Sequence, residues 1–294
     1  MPARNAATHI REAIASVLAQ GLDVDALIVV DDGSSDGTAA IVRSFGDSRI
    51  RLMANDGSGV SAARNVGARA ATGEWLMFLD ADDRLRPGAI ATLLNAAMSA
   101  PQAVAVYGDY DRIDEDGHPI GRRGLLRGRA KPSGQVLARL AAGNFIVNGG
   151  IMIIRSAAFA AAGGFDETLK YCEDWHCWCR LATLGEFRFV PDLLLDYRVH
   201  EANTMSAALR SPQDFLPAAE RVFGDRAILD TLPAHLVPTL RRAAEVHLVT
   251  YAASQAVRLR GYRKAARYVL MAVRRSPLAM PRVALRVGLA FLGI

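Results

Sequence analysis

Two apolar runs in this chain each stop at a cluster of aspartates, and that pairing constrains the fold more than any other feature. Ala26-Leu27-Ile28-Val29-Val30 runs into Asp31-Asp32-Gly33-Ser34-Ser35-Asp36-Gly37, and Trp75 to Leu79 runs into Asp80-Ala81-Asp82-Asp83. An unbroken apolar run of this length fits a strand buried on both faces, as in a parallel sheet covered by helices. Between the runs the periodicity is helical. Ile10, Ile14, Val17 and Leu18 form one stripe, with Asn5 placed to cap that helix. Further helices are expected over 38–45, over 59–71 and from Pro87, with strands at 49–54 and 104–109. This alternation predicts an α/β fold with a doubly wound, mostly parallel sheet.

Past Tyr110 the pattern changes. Asp114-Glu115-Asp116-Gly117 reads as a hairpin turn. A basic loop is expected at 122–131, helices at 134–142 and 173–184, and strands at 151–154 and 193–199. From Ser211 onward everything reads as helix with proline punctuation, including a pair at 239–259 and 262–275 hinged at Gly261. The expected division is a catalytic domain over 1–210 and a helical, basic C-terminal region over 211–294. A doubly wound sheet normally begins with a strand that feeds its first helix, yet Met1 sits almost at that helix. The first strand is therefore expected to be missing, and the natural product is expected to begin upstream with an apolar strand of about five or six residues.

Composition narrows the class. Of 294 residues, 51% are hydrophobic and 22% charged, which predicts a globular core. The net charge of +5 is uneven: residues 251–294 hold nine Arg/Lys and no acid. The 26 basic and 30 acidic residues before them leave about −4. Such a basic end points to an anionic membrane surface, with no nucleic acid expected. No segment has the ~18 apolar residues of a spanning helix, and the last apolar run is broken by Arg286. No signal peptide opens the chain. Its place is expected to be the cytoplasm, peripheral at the inner face of the cell membrane. Cys172, Cys177 and Cys179, odd in number and clustered, do not form a disulfide framework. Cys172, His176 and Cys179 share a helix face, but with Trp175 and Trp178 beside them they read as core rather than as zinc ligands.

The chemistry sits in the acids. Ligands of open α/β sheets bind at the carboxyl ends of the strands. Carboxylates clustered there repel one another unless a cation compensates, and oxygen donors of this kind suit Mg²⁺ or Mn²⁺ bridging to a diphosphate. Capping of the following turn accounts for Asp36 but poorly for a tetrapeptide with three aspartates. A calcium loop matches Asp32, Ser34, Asp36 and Gly37, but its twelfth position is Arg43 instead of Glu. Glu173-Asp174 opens a helix, where an anion is stabilised and can serve as a general base toward a hydroxyl.

Six stretches occur in order: Asp31-Asp32-Gly33-Ser34, Gly59-Val60-Ser61-Ala62-Ala63-Arg64-Asn65, Phe78-Leu79-Asp80-Ala81-Asp82-Asp83, Gly163-Gly164-Phe165-Asp166-Glu167, Glu173-Asp174 and Tyr197-Arg198-Val199-His200. Together, over roughly residues 2–206, they resemble glycosyltransferase family 2 with the GT-A fold. The resemblance implies an inverting, metal-dependent transfer from a nucleotide diphosphate sugar, a UDP-sugar first of all, to a saccharide or lipid-linked acceptor in cell-surface glycan synthesis. It implies that Asp32 binds the uracil base and that Ala3 and Arg4 lie on the wall of that pocket. Arg64 would lie near the base or phosphates, and Asp80-Ala81-Asp82 would be the DXD motif against the donor. Asp82 or Asp83 would ligate Mg²⁺ or Mn²⁺, Asp174 would deprotonate the acceptor hydroxyl, and His200 would help hold the metal or the leaving diphosphate. The chain departs from the family at its missing first strand and at Arg4, a position often aromatic. Two other readings are a catalytically impaired relative that only binds nucleotide sugar, and a nucleotidyltransferase. The latter would want a Gly-rich loop bearing Lys or Arg after the first strand, and none is seen.

Overall fold

The computed structural model describes residues 1–120, 130–146, 148–200 and 211–291. Its organising strand is the first apolar run, Leu27–Asp31 (β2). Leu27 and Val29 join the main core with Ile10 and Ile14, while Ile28 and Val30 pack on the other face against Ala63. Helices on both sides thus account for the lack of alternation: Ile10–Leu18 (α1) lies on one face and Val60–Ala70 (α3) on the other. Each fully buried aliphatic side chain contributes roughly 1.5–3 kcal/mol of transfer free energy. Parallel to β2 on one edge runs Ile50–Ala54 (β3), reached through the short helix Thr38–Arg43 (α2).

On the other edge the expectation of an absent first strand is corrected. Pro2–Ala3 (β1) pairs parallel with Val30 and Asp31. Val30 N–H donates to the Met1 carbonyl at 2.9 Å and Asp32 N–H to the Ala3 carbonyl at 2.8 Å. The strand is present but two residues long, so the ladder is filled only where it leads into the aspartates. The Met1 amino group donates to Ile28 O at 2.9 Å, and burial pushes its pKa down to about 5. Asn5 does not cap α1. His9 takes the N-cap position, and Asn5, at φ 50°, accepts from Ser35 N–H at 2.8 Å.

A second sheet has five strands. Trp75–Leu76 (β4) lies at one edge and Arg84–Leu85 (β5) at the other, with Ala103–Ile113 (β6), Met152–Arg155 (β7) and Glu186–Arg198 (β8) between them in the order β4-β7-β6-β8-β5. Only β6 and β8 run parallel in it. The chain leaves the ladder after Leu76, earlier than the apolar run ends, but Phe78 and Leu79 stay buried and carry it to Asp80. Ala89–Met98 (α4), Leu137–Ala141 (α5), Ser156–Ala161 (α6) and Glu173–Leu181 (α7) cover this sheet and its ends. The turn after β6 forms as expected, with Gly117 at φ 88° and His118 N–H donating to Asp114 Oδ1 at 2.8 Å. Most of the basic loop expected at 122–131 lies outside the described residues.

The C-terminal helices are Leu216–Val222 (α8), Arg226–Thr231 (α9), Val237–Arg258 (α10), Tyr262–Arg275 (α11) and Met280–Phe291 (α12). They share the hydrophobic core of the sheets: α8 packs on α7, and α10 packs on α5 and α8. His176 of α7 meets Asp225, which caps α9, at 3.0 Å. No helix among the described residues is long and apolar enough to cross a membrane.

Candidate active site

The carboxyl ends of β1, β2 and the run after β4 converge with the start of α7 and the end of β8. Asp32, buried at the end of β2, accepts from Asn55 Nδ2 at 2.6 Å and from Gly59 N–H at 3.1 Å, which ties it to the N-terminus of α3. The exposed Arg4 guanidinium reaches to 3.9 Å of its Oδ2. Ala3 is buried beside it through the Ala3–Asp32 backbone bond. These residues set one buried carboxylate beside one exposed cation.

Arg64 bridges the second and third acid clusters. Its Nη2 donates to Asp80 Oδ1 at 2.7 Å and its Nη1 to Glu173 Oε1 at 2.8 Å. The guanidinium is 9% exposed and packs over the Phe165 ring. The two carboxylates push its pKa up despite its burial. Geometry at Phe165 depends on the Gly163-Gly164 pair. Gly164 sits at φ 71°, and an added Cβ would lie 2.6 Å from Asn65 Oδ1. That oxygen accepts from Phe165 N–H at 2.9 Å, and Asn65 Nδ2 donates to Phe165 O and to Glu167. A glycine is required there on both counts.

The Asp80–Asp83 loop is clamped to β8. Arg198, 1% exposed, donates its backbone N–H to Asp83 Oδ1 at 2.8 Å and its Nε to Asp82 O at 2.9 Å. Its Nη1 reaches the Asp114 and Glu115 carbonyls, and its Nη2 pairs with Glu12 of α1. Two residues further, His200 Nε2 lies 3.0 Å from Asp82 Oδ2. The His9 ring packs against the His200 ring at 5.3 Å between centroids.

Asp82 and His200 therefore offer a carboxylate and an imidazole converging on one point, a donor pair that fits Mn²⁺ or Mg²⁺. Asp83, the alternative to Asp82 as a metal ligand, is 1% exposed and turned inward. Arg198 N–H holds one of its oxygens and Asn148 Nδ2 the other, at 2.7 Å. Burial, together with the charges of Asp82 and Asp80, raises its pKa well above the ordinary carboxylate value. Ala81 is buried between them.

Asp174 lies next to the Arg64-bound Glu173. Asn144 Nδ2 donates to its Oδ2 at 3.0 Å. Desolvation, then the neighbouring Glu173 charge, pushes its pKa up to about 7. A carboxylate so poised can take a proton from a hydroxyl near neutral pH.

The sequence matches the model of glycosyl transferase family 2 over residues 1–161. The chain belongs to glycosyl transferase family 2. It is 31% identical over 218 residues to an uncharacterized glycosyltransferase of Rickettsia typhi, a match spanning 73% of this chain and 67% of the relative. Over 120 residues it is 41% identical to a succinoglycan biosynthesis protein of Rhizobium meliloti, covering 40% of this chain and 34% of that one. Among solved structures, S. aureus TarS residues 1–349 in complex with UDP-GlcNAc superposes with a TM-score of 0.66 at 17% identity, covering 99% of this chain and 87% of that one. The mannosyltransferase PcManGT of Pyrobaculum calidifontis, in complex with GDP-Man and Mn²⁺, superposes at 0.63 with 20% identity, covering 99% and 85%. The fold is GT-A, and the chain is a glycosyltransferase.

In this family 2 enzyme the structure brings Asp80, Glu173 and Asp174 together through Arg64, and Asp82 with His200 through the β8 clamp. Sequence reasoning did not single out His9, Asn144 or Asn148. Only the fold sets each of them against a carboxylate or imidazole of the site. A cavity of about 1000 Å³ opens elsewhere, between α3, α6, α7 and α8. Asn65, Phe165 and His176 line it, and none of the strand-end aspartates does.

Among the described residues, the one group of three possible ligands within reach of a single ion is Asp114, Asp116 and His118 on the exposed hairpin. Cys177 and Cys179 are buried in the core.

Proposed function

We propose that this enzyme transfers a sugar, with inversion, from a nucleotide diphosphate donor, a UDP-sugar first of all, to a saccharide or lipid-linked acceptor in cell-surface glycan synthesis. The observation that carries the reading is the joining of two different acid environments by Arg64. Asp80 at the DXD stretch stays ion-paired, while Asp174, one residue beyond the other Arg64 partner, is pushed up to about 7. An ion-paired carboxylate suits binding, and a buried one raised toward neutral pH suits base chemistry.

In this reading Asp32 accepts from the base N–H, with Ala3 and Arg4 completing the pocket wall. Asp80-Ala81-Asp82 lines the ribose and diphosphate, and Arg64 holds positive charge beneath them. Asp82 and His200 would hold Mg²⁺ or Mn²⁺, which when bound offsets charge building on the departing diphosphate. Asp83 keeps Asp82 in place instead of ligating. Asp174 takes the acceptor hydroxyl's proton as the oxygen attacks the anomeric carbon, and a single displacement inverts that carbon. The UDP-GlcNAc in TarS and the GDP-Man and Mn²⁺ in the mannosyltransferase support a nucleotide-sugar donor and a divalent ion. The succinoglycan protein supports polysaccharide synthesis. The expected place of action is the inner face of the cell membrane, with residues 1–210 catalytic and 211–294 peripheral.

The test is a screen of UDP-, GDP- and dTDP-sugars for hydrolysis or transfer, with Mn²⁺ and with EDTA. Metal-dependent turnover of a UDP-sugar is expected. Turnover unchanged by EDTA would remove the metal from the reading, and turnover of only GDP- or dTDP-sugars would remove uracil.

A further inference from the structure

Exposed apolar side chains gather on the C-terminal helices. Among the described residues twelve large hydrophobic side chains are exposed, and seven of them lie between Leu259 and Phe291. Leu278 is 93% exposed and Leu285 63%. Patches of this kind mark a surface that meets something else.

The helices explain how the patch is built. In α12 Val283, Val287 and Ala290 face inward, so Pro281, Ala284, Leu285 and Gly288 form the outer face. Arg286, which interrupts the apolar run in the sequence, turns under the helix, with its Nη1 3.1 Å from His247 Nδ1 and its guanidinium over the Tyr251 ring. The outer face of α12 is thereby left apolar apart from the exposed Arg282. In α11 Ala265, Tyr268 and Ala272 face inward, and the opposite stripe is Arg263, Arg267, Leu270 and Arg274, all exposed. Both helices pack on α10, so their outer faces turn away from it together. Tyr262 stacks on Phe291 at 5.8 Å and 9°, joining the start of α11 to the end of α12.

Charge selects the partner. Residues 251–294 carry no acid, so an apolar strip lies beside a basic one, with Glu245 of α10 pairing with Arg275 at 3.7 Å. A second copy of the chain would bring the same positive charge and be repelled. An anionic bilayer surface satisfies both strips: an amphipathic helix lies with its apolar face about 5–10 Å into the headgroup boundary while cations meet anionic headgroups.

We propose that the outer face of α11, α12 and the Pro277–Ala279 turn between them docks this enzyme on anionic lipid, with Leu278, Leu285 and Phe291 entering the acyl boundary and Arg263, Arg267 and Arg274 meeting headgroup phosphates. This deepens, and rests on, the peripheral placement proposed above by assigning the surface that makes the contact. The basic end is not a detachable tail, because Ala252, Ala253, Ala256 and Val257 of α10 are core residues. Point variants on the full chain are therefore the probe.

The experiment is co-sedimentation with vesicles of phosphatidylcholine alone and of equal parts phosphatidylcholine and phosphatidylglycerol. Binding is expected only to the anionic vesicles, falling about tenfold or more as salt is raised to about 0.5 M, where screening is nearly complete. Arg263→Gln/Arg267→Gln/Arg274→Gln should abolish it, and Leu278→Ser/Leu285→Ser should weaken it about tenfold while leaving the circular dichroism spectrum and melting unchanged. Equal binding to both vesicle types, or none, overturns the proposal. So does unchanged binding by both variants, or self-association that Leu278→Ser/Leu285→Ser removes, which would make a second copy the occupant. Donor hydrolysis is read in the same samples. No docking by the native chain with hydrolysis intact overturns the docking alone, and docking by the native chain without hydrolysis overturns the catalytic reading alone.

Discussion

Arg64 and Glu173 stand 109 residues apart in the sequence and meet at 2.8 Å. The bond fixes the start of α7 against α3, and with it the carboxylate of Asp174. Because the same guanidinium holds Asp80, one side chain sets the spacing between the Asp80–Asp83 loop and the start of α7.

Arg64→Ala leaves two carboxylates facing each other without their cation. Removing one member of a buried ion pair costs about 3–5 kcal/mol, so the urea midpoint should fall by a corresponding amount and turnover should be lost. Arg64→Lys supplies a single ammonium for a forked contact. It should recover part of the stability and little of the activity. Unfolding curves that superpose on the native chain would contradict the bridge.

Asp82→Ala should abolish metal-dependent UDP binding and leave the fold intact, because Asp82 carries one of the two converging donors. His200→Ala should weaken the same binding. Calorimetric titration with Mn²⁺ and UDP reads both. Asp83→Ala should behave differently: it frees Asn148 and the Arg198 N–H in the core, where each unsatisfied group costs about 1–3 kcal/mol, and melting temperature should fall before binding does. Equal loss of Mn²⁺ binding in Asp82→Ala and in a normally melting Asp83→Ala would return Asp83 to the metal.

Asp174→Asn should keep UDP and metal affinity and lower turnover by roughly 10²-fold or more, as loss of a general base does. The native enzyme should show the matching pH profile. Asp174 is neutral below about 7 and charged above it, because burial and Glu173 disfavour the charge. Only the charged form accepts a proton, so turnover should rise with pH through about 7 and level off above it. A profile flat from pH 5 to 9, or donor binding lost with turnover in Asp174→Asn, would make Asp174 structural.

His9→Ala removes the ring packed against His200 and should weaken metal-dependent UDP binding several-fold, while His9→Phe should restore it. The check is UDP affinity by calorimetry in the two variants. If His9→Ala binds as the native chain does, the His9–His200 contact has no part in placing the imidazole.

Gly164→Ala should destabilise the enzyme. A non-glycine residue at φ 71° costs about 1–2 kcal/mol, and its Cβ would press on Asn65 Oδ1. Thermal unfolding of the purified variant measures the loss. An unchanged melting temperature would show that the Asn65 bonds adapt.

Much of this fold was legible in the sequence because its signals are local. An apolar run flanked by helical stripes makes β2 a buried strand whatever lies around it, and α1 forms over the residues that its stripe marks. The acids at strand ends were legible too, since the carboxyl edge of such a sheet is where ligands bind. What each acid does was not legible, because pairing across the chain decides it. Asp82 and Asp83 are neighbours with the same side chain. One meets His200 at the mouth, and the other is sealed between Asn148 and Arg198. The first strand and Arg286 carry the same lesson. Pro2 and Ala3 pair with the end of β2, and Arg286 stays off the outer face of α12 because His247 and Tyr251 draw it inward. Local periodicity determined where the elements lie. The contacts between residues far apart in sequence, which no local pattern encodes, decided which carboxylate pairs with an arginine, which meets an imidazole and which is sealed in the core.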